Sequence, residues 1–139
     1  MKETFDKQIE EICKRYAIEE MYVFGSRALE IAAKIRGREV AGQFPKSDVD
    51  IGVRPACGRS LSVKDKVQLA IELEDLLSIP RADIVVLPEA GPFLALDVIR
   101  GELIYCGDPD RQAENEIYIL RRAGDLAYYE KEKIRQILG

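Results

Sequence analysis

Met21-Tyr-Val-Phe-Gly-Ser-Arg-Ala28 and, further along, Ser47-Asp-Val-Asp-Ile-Gly-Val53 decide how this chain is read. A short apolar run meets a Gly-Ser turn and passes into a helical pattern, Ala28-Leu-Glu-Ile-Ala-Ala-Lys-Ile35. The unpaired N–H groups and partial positive charge of a helix N-terminus make a natural phosphate seat. In the second stretch, side chains alternate across a strand. Asp48, Asp50 and Gly52 therefore share one face, and Val49, Ile51 and Val53 the other. Two carboxylates in front of an apolar back suit a hard cation held by oxygen. A phosphate seat beside a cation seat points to nucleotide chemistry.

The rest of the chain bounds that chemistry. Its 139 residues make one domain, 1–139, large enough for a single core, and 47% hydrophobic with 33% charged residues is ordinary for a globular protein. No apolar run reaches membrane-spanning length and no signal peptide opens the chain, so a cytoplasmic location is expected. A formal charge of −4 argues against a general nucleic-acid-binding surface. Cys13, Cys57 and Cys106 are widely spaced, and the chain has no histidine, which leaves no zinc site and no Cys–His nucleophile. They read as reduced thiols. Catalysis must then rest on carboxylates, metal ions or lysine.

Outward from the two motifs, the spacing predicts an amphipathic helix over 3–17, a strand over 21–24, a helix from about Ser26 to Arg36 and a strand over 48–54. Residues 36–46 read as a loop carrying Arg36, Arg38 and Lys46. It is either a solvated connection, the better-supported reading, or a phosphate-contacting lid. Ser62 with Asp65 reads as a capped start to a helix that Pro80 breaks, and 82–87 as a β-branched strand closed by Pro88. A short helix over 92–100, a strand over 103–106 and a long helix over 109–138 complete the pattern. On the long helix Ile117, Leu120, Gly124, Ala127, Tyr128, Ile134 and Leu138 form an apolar stripe, which either packs on the sheet or receives a partner. Strands alternating with helices give an α/β architecture.

Asp83 is the one acidic residue inside the 82–87 strand. If that strand neighbours 48–54, Asp48, Asp50 and Asp83 converge. Two divalent ions about 4 Å apart can then clamp the attacking and leaving oxygens of an in-line displacement at phosphorus. Asp48 and Asp50 would hold the ions, and Asp83 would complete the attacking-side metal or accept the nucleophile's proton. Magnesium is favoured, since it binds through a few carboxylates plus substrate phosphates. Taken singly, each feature has a plainer explanation: a polar outer strand face, a helix cap at Ser26, a solvated acid at a strand start. Their combination and order carry the reading.

Phe24-Gly-Ser-Arg-Ala28, Ser47-Asp-Val-Asp-Ile51 and Ala82-Asp-Ile-Val-Val-Leu87 together resemble the signatures of the nucleotidyltransferase (polymerase beta-like) superfamily, and its minimal (MNT) branch in particular. The resemblance covers most of 5–106 and implies that superfamily's fold, a small mixed sheet flanked by helices with a long helix after it. It implies triphosphate binding by Gly25 and Ser26, magnesium binding by Asp48 and Asp50, and Asp83 as third carboxylate. Arg27 matches a frequent family position, with phosphate contact and a structural ion pair both open. The branch is typically composed of antitoxins that transfer AMP from ATP to a tyrosine of a HEPN-domain ribonuclease toxin. A small-molecule (aminoglycoside-type) nucleotidyltransferase and a non-catalytic toxin-binding module are the alternatives. The chain departs from the pattern in the long interval between Ser26 and Asp48, and in Leu29-Glu30 where the family has Arg-Gly.

Overall fold

The computed structural model describes residues 4–37 and 48–138. A four-stranded sheet is built from β1 (Ile18–Phe24), β2 (Val49–Pro55), β3 (Ala82–Val86) and β4 (Glu102–Cys106), in the order β3-β2-β1-β4. β1 runs antiparallel to β2 and β4, whereas β2 and β3 are parallel, so the sheet is mixed. Among the described residues five helices surround it: α1 (Phe5–Arg15), α2 (Ala28–Ile35), α3 (Val63–Leu77), α4 (Pro92–Ile99) and α5 (Pro109–Leu138). The parallel pair needs a crossover, which α3 supplies between β2 and β3.

Strand alternation assigns each face. Met21, Val23, Val49, Ile51 and Val53 point into a core closed by Ile9, Ile12 and Cys13 of α1, Ile31 and Ile35 of α2, and Leu69, Leu73 and Leu77 of α3. On the other face Tyr22 and Phe24 meet Ala95 and Val98 of α4 and Ile119 of α5. Gly52 makes that second layer possible: a Cβ there would lie 2.3 Å from a Val98 methyl. Side chains that alternate between two apolar layers leave little room for exposed polar residues except at the strand ends.

Local signals place the ends of the elements. Ser62 Oγ accepts from the Asp65 amide (3.1 Å) and the Asp65 carboxylate accepts from the Ser62 amide (3.0 Å), a reciprocal cap that starts α3 one residue later. β1 begins at Ile18, earlier than the sequence pattern indicates, because Glu20 pairs with Arg54 across the strands despite its charge. β3 stops at Val86, and Leu87–Glu89 form a 3-10 turn around Pro88. Of the loop expected over 36–46, residues 38–46 lie outside the described residues.

Of the two readings of the α5 stripe, packing on the sheet is not the one the fold shows. Ile119 and Ala123 are the buried residues of this helix, flanked by half-buried Gln112, Asn115 and Glu116. Ile117, Leu120, Tyr128, Ile134 and Leu138 are each about half exposed or more. The sheet takes a different face of α5 because it offers polar groups there. Gln112 donates to the Tyr22 hydroxyl (2.9 Å), Tyr22 donates to Glu116 (3.0 Å), Asn115 donates to Glu20 (2.8 Å) and Arg111 donates to Glu19 (2.9 Å).

Candidate active site

Gly25 stands where β1 gives way to α2, with φ +82°, a conformation that side-chain-bearing residues rarely adopt. A Cβ at this position would meet the Asp50 carboxylate oxygen Oδ2 at 2.5 Å. The glycine thus lets the turn lie directly against β2. Ser26 is exposed within the turn and does not cap the helix: Arg27 holds the cap position of α2, and no side chain bonds back to it. The helix begins at Ala28, two residues later than the sequence indicates.

Asp50 and Asp83 are register partners on the parallel strands β2 and β3, which puts them side by side on one face about 4.8 Å apart along the sheet. Asp48 immediately precedes β2 and is exposed. Burial raises the Asp50 pKa above its ordinary value, and the negative charges of Asp83 and Asp48 raise it further. Like charges gathered at one strand end are unfavourable by themselves and are relieved by a cation. Asp83 is partly engaged by Arg81, whose Nε lies 3.0 Å from Oδ1. Among the described residues no three carboxylates or thiols are grouped closely enough to hold an ion in these rotamers. In chemistry the donors fit magnesium, since they are hard oxygens carrying mutual repulsion. In position the set is open.

Gly25 and Asp50 face a cavity of about 570 Å³ walled by Phe24, Ala28 and Leu29 on one side and by the end of α4 on the other. The volume is that of a small-molecule site. Asp48, Asp83, Ser26 and Arg27 are not part of its wall. Arg27 instead forms a two-pronged pair with Glu30, Nη2 to Oε1 at 2.7 Å and Nε to Oε2 at 3.0 Å, with both side chains mostly buried. An ion pair is thus present at Arg27, and Glu30 at the position of the family's usual glycine supplies the partner. Among the described residues the cavity wall carries one cation, Arg100, exposed at the end of α4 beside Asp97 and Glu102. Its guanidinium has no ion-pair partner among the described residues. Sequence reasoning missed it, because an arginine closing an apolar helix before Gly101 looks like a stop signal. Only the packing of α4 on β1 carries it to the Gly25 turn.

A mixed sheet with a glycine turn over paired strand-end carboxylates defines the class of a nucleotidyltransferase. Residues 7–110 match the family described as Polymerase beta, Nucleotidyltransferase, and the chain belongs to that family. No curated protein matches the sequence. Solved structures of similar fold include a toxin–antitoxin with AMP-PNP (19% identity, TM-score 0.69, 96% of this chain and 98% of that one). Another is a complex of tri-AMPylated HEPN toxin with MNT antitoxin from Shewanella oneidensis (17% identity, TM-score 0.65, 97% of each chain). A further Shewanella oneidensis structure matches over the whole of both chains at 16% identity and TM-score 0.66. At these identities the likeness establishes the fold, long last helix included. No helix among the described residues is long and apolar enough to cross a membrane.

Proposed function

We propose that residues 1–139 form one minimal nucleotidyltransferase domain acting as an antitoxin, which moves AMP from ATP to a tyrosine hydroxyl of a HEPN toxin in the cytoplasm. The observation that carries this reading is the register pairing of Asp50 with Asp83 under the Gly25 turn, at the mouth of a nucleotide-sized cavity, in a chain of this family. The AMP-PNP and AMPylated-toxin complexes of similar fold support the nucleotide and the acceptor. Asp48, Asp50 and Asp83 would hold magnesium, which would supply Lewis-acid stabilisation of the phosphate charge.

The chain's own residues bind and orient. Gly25 and Ser26 admit the triphosphate to the start of α2, where backbone N–H groups meet it. Arg100 balances phosphate charge from the opposite wall. The tyrosine oxygen attacks the α-phosphorus, pyrophosphate leaves, and the phenolic proton passes to Asp83. Arg27 serves by bracing the turn through Glu30 rather than by touching phosphate.

The test incubates the protein with Mg²⁺, α-labelled ATP and the product of the adjacent gene, comparing wild type with the Asp48→Ala/Asp50→Ala variant. Label on the partner, lost in the variant, is expected. Equal protection of cells by both proteins without label transfer sinks the catalytic reading. It would leave neutralisation by binding alone as the remaining alternative.

A further inference from the structure

α5 carries two apolar faces, and the domain uses one. Ile119 and Ala123 are buried against the second layer of the core, and no later residue of this helix is buried among those described. Roughly 100° round the helix from them, at 100° per residue, runs a second line: Ile117, Leu120, Gly124, Ala127, Lys131, Ile134 and Leu138. These positions alternate three and four apart over their whole length, which is the a/d spacing of a coiled-coil seam. The large members are exposed, Leu120 by 53% and Ile134 by 57%, and a Cβ added at Gly124 would meet nothing within 4 Å. With Gly124 and Ala127 small at the middle, a second helix can approach closely there.

The charges beside the seam select the occupant. With Ile117 and Leu120 as a and d, the e positions are Arg121, Tyr128 and Arg135, and the g positions include Glu116 and Glu130. One flank is basic and the other acidic. Against a parallel second copy, g meets the following e of the partner helix, so Glu116 faces Arg121 and Glu130 faces Arg135, twice each by symmetry. Glu130 also lies beside the seam lysine, Lys131, of the other copy. An antiparallel copy would set e against e and g against g, the basic flank against the basic and the acidic against the acidic. Glu116 already accepts from Tyr22 through Oε1 and keeps its other oxygen for the pairing.

We propose that the Ile117–Leu138 seam is a self-association surface that joins two copies of this chain through parallel α5 helices. The pairing is independent of nucleotidyl transfer, since none of its residues lines the cavity beneath Gly25. Sedimentation velocity on the full chain, from about 1 to 500 µM, reads it directly. Wild type should show a concentration-dependent dimer. Leu120→Asp/Ile134→Asp changes two exposed residues, so circular dichroism and Tm should hold while the dimer dissociation constant rises more than tenfold. Arg135→Glu should weaken the dimer, and the swap Glu130→Arg/Arg135→Glu should restore it to within about threefold of wild type. Strengthening by Arg135→Glu would mean antiparallel pairing and overturn the proposal. So would a wild type that stays monomeric throughout. A monomer whose Leu120→Asp/Ile134→Asp variant loses the adjacent-gene product in pull-down would hand the seam to that partner instead.

Discussion

Asp50 and Glu20 are both carboxylates on the α4/α5 side of the same sheet, and burial raises the pKa of each. Their surroundings then part. Glu20 is 1% exposed, with Arg54 Nε 3.1 Å away and the Asn115 amide at 2.8 Å, and both neighbours favour its charged form. Asp50 has Asp83 and Asp48 as its charged neighbours, and both oppose its charge. The difference separates a structural acid from a functional one: the first has protein partners, the second needs a ligand. The Arg54–Glu20 contact is an ion pair by distance, yet Arg54 Nε makes no hydrogen bond of good angle. Its attraction is therefore mainly coulombic, reinforced by exclusion of water.

The comparison breaks most sharply at the transfer step. Asp48→Ala/Asp50→Ala should lower label transfer by about a thousandfold or more, because the cation seat is lost, with Tm unchanged or raised. Transfer within tenfold of wild type would remove Asp50 from the chemistry. At the other carboxylate, Arg54→Ala should leave Glu20 buried without its cation and cost about 3–5 kcal/mol in urea unfolding. A cost under about 1 kcal/mol would mean that Asn115 alone satisfies Glu20.

Smaller effects sharpen the same contrast. Arg100→Ala should raise the KM for ATP about tenfold with kcat little changed, the mark of lost ground-state binding, whereas Arg27→Ala should chiefly lower Tm. Asp50→Asn should raise Tm at pH 7. The folded chain holds the Asp50 proton more tightly than the unfolded chain, so stability is fully present below the ordinary value of 3.8 and falls as pH rises through the raised value. The amide removes that loss, and the gap between variant and wild type should close below pH 3.8. Millimolar Mg²⁺ should narrow it at pH 7 by stabilising the wild type alone.

Much of the site was legible because its residues obey short-range rules. Strand alternation puts Asp50 and Gly52 on one face whatever surrounds them, and Ser62 with Asp65 announces α3 by a cap that needs no tertiary partner. The adjacency of Asp83 was conditional in the sequence, since nothing local says which strands pair. Arg100 went unassigned because an arginine before Gly101 looks like a helix stop, and only the packing of α4 on β1 brings it to the cavity wall. The α5 stripe shows the same limit: periodicity finds an apolar line but carries no information about which surface will cover it.

From the sequence alone followed the mixed alternation of strands and helices, the glycine turn ahead of a helix, and the three carboxylates at strand ends. Each depends on the conformational preferences and periodicity of a few adjacent residues. Tertiary structure alone decided that Asp50 and Asp83 share a register, that Gly25 lies against the Asp50 carboxylate, and that α5 docks through Gln112, Asn115 and Ile119. Those outcomes rest on competition between whole surfaces. The buried Glu20 and Tyr22 required polar partners more than the sheet required another apolar stripe, and so the stripe was left outside.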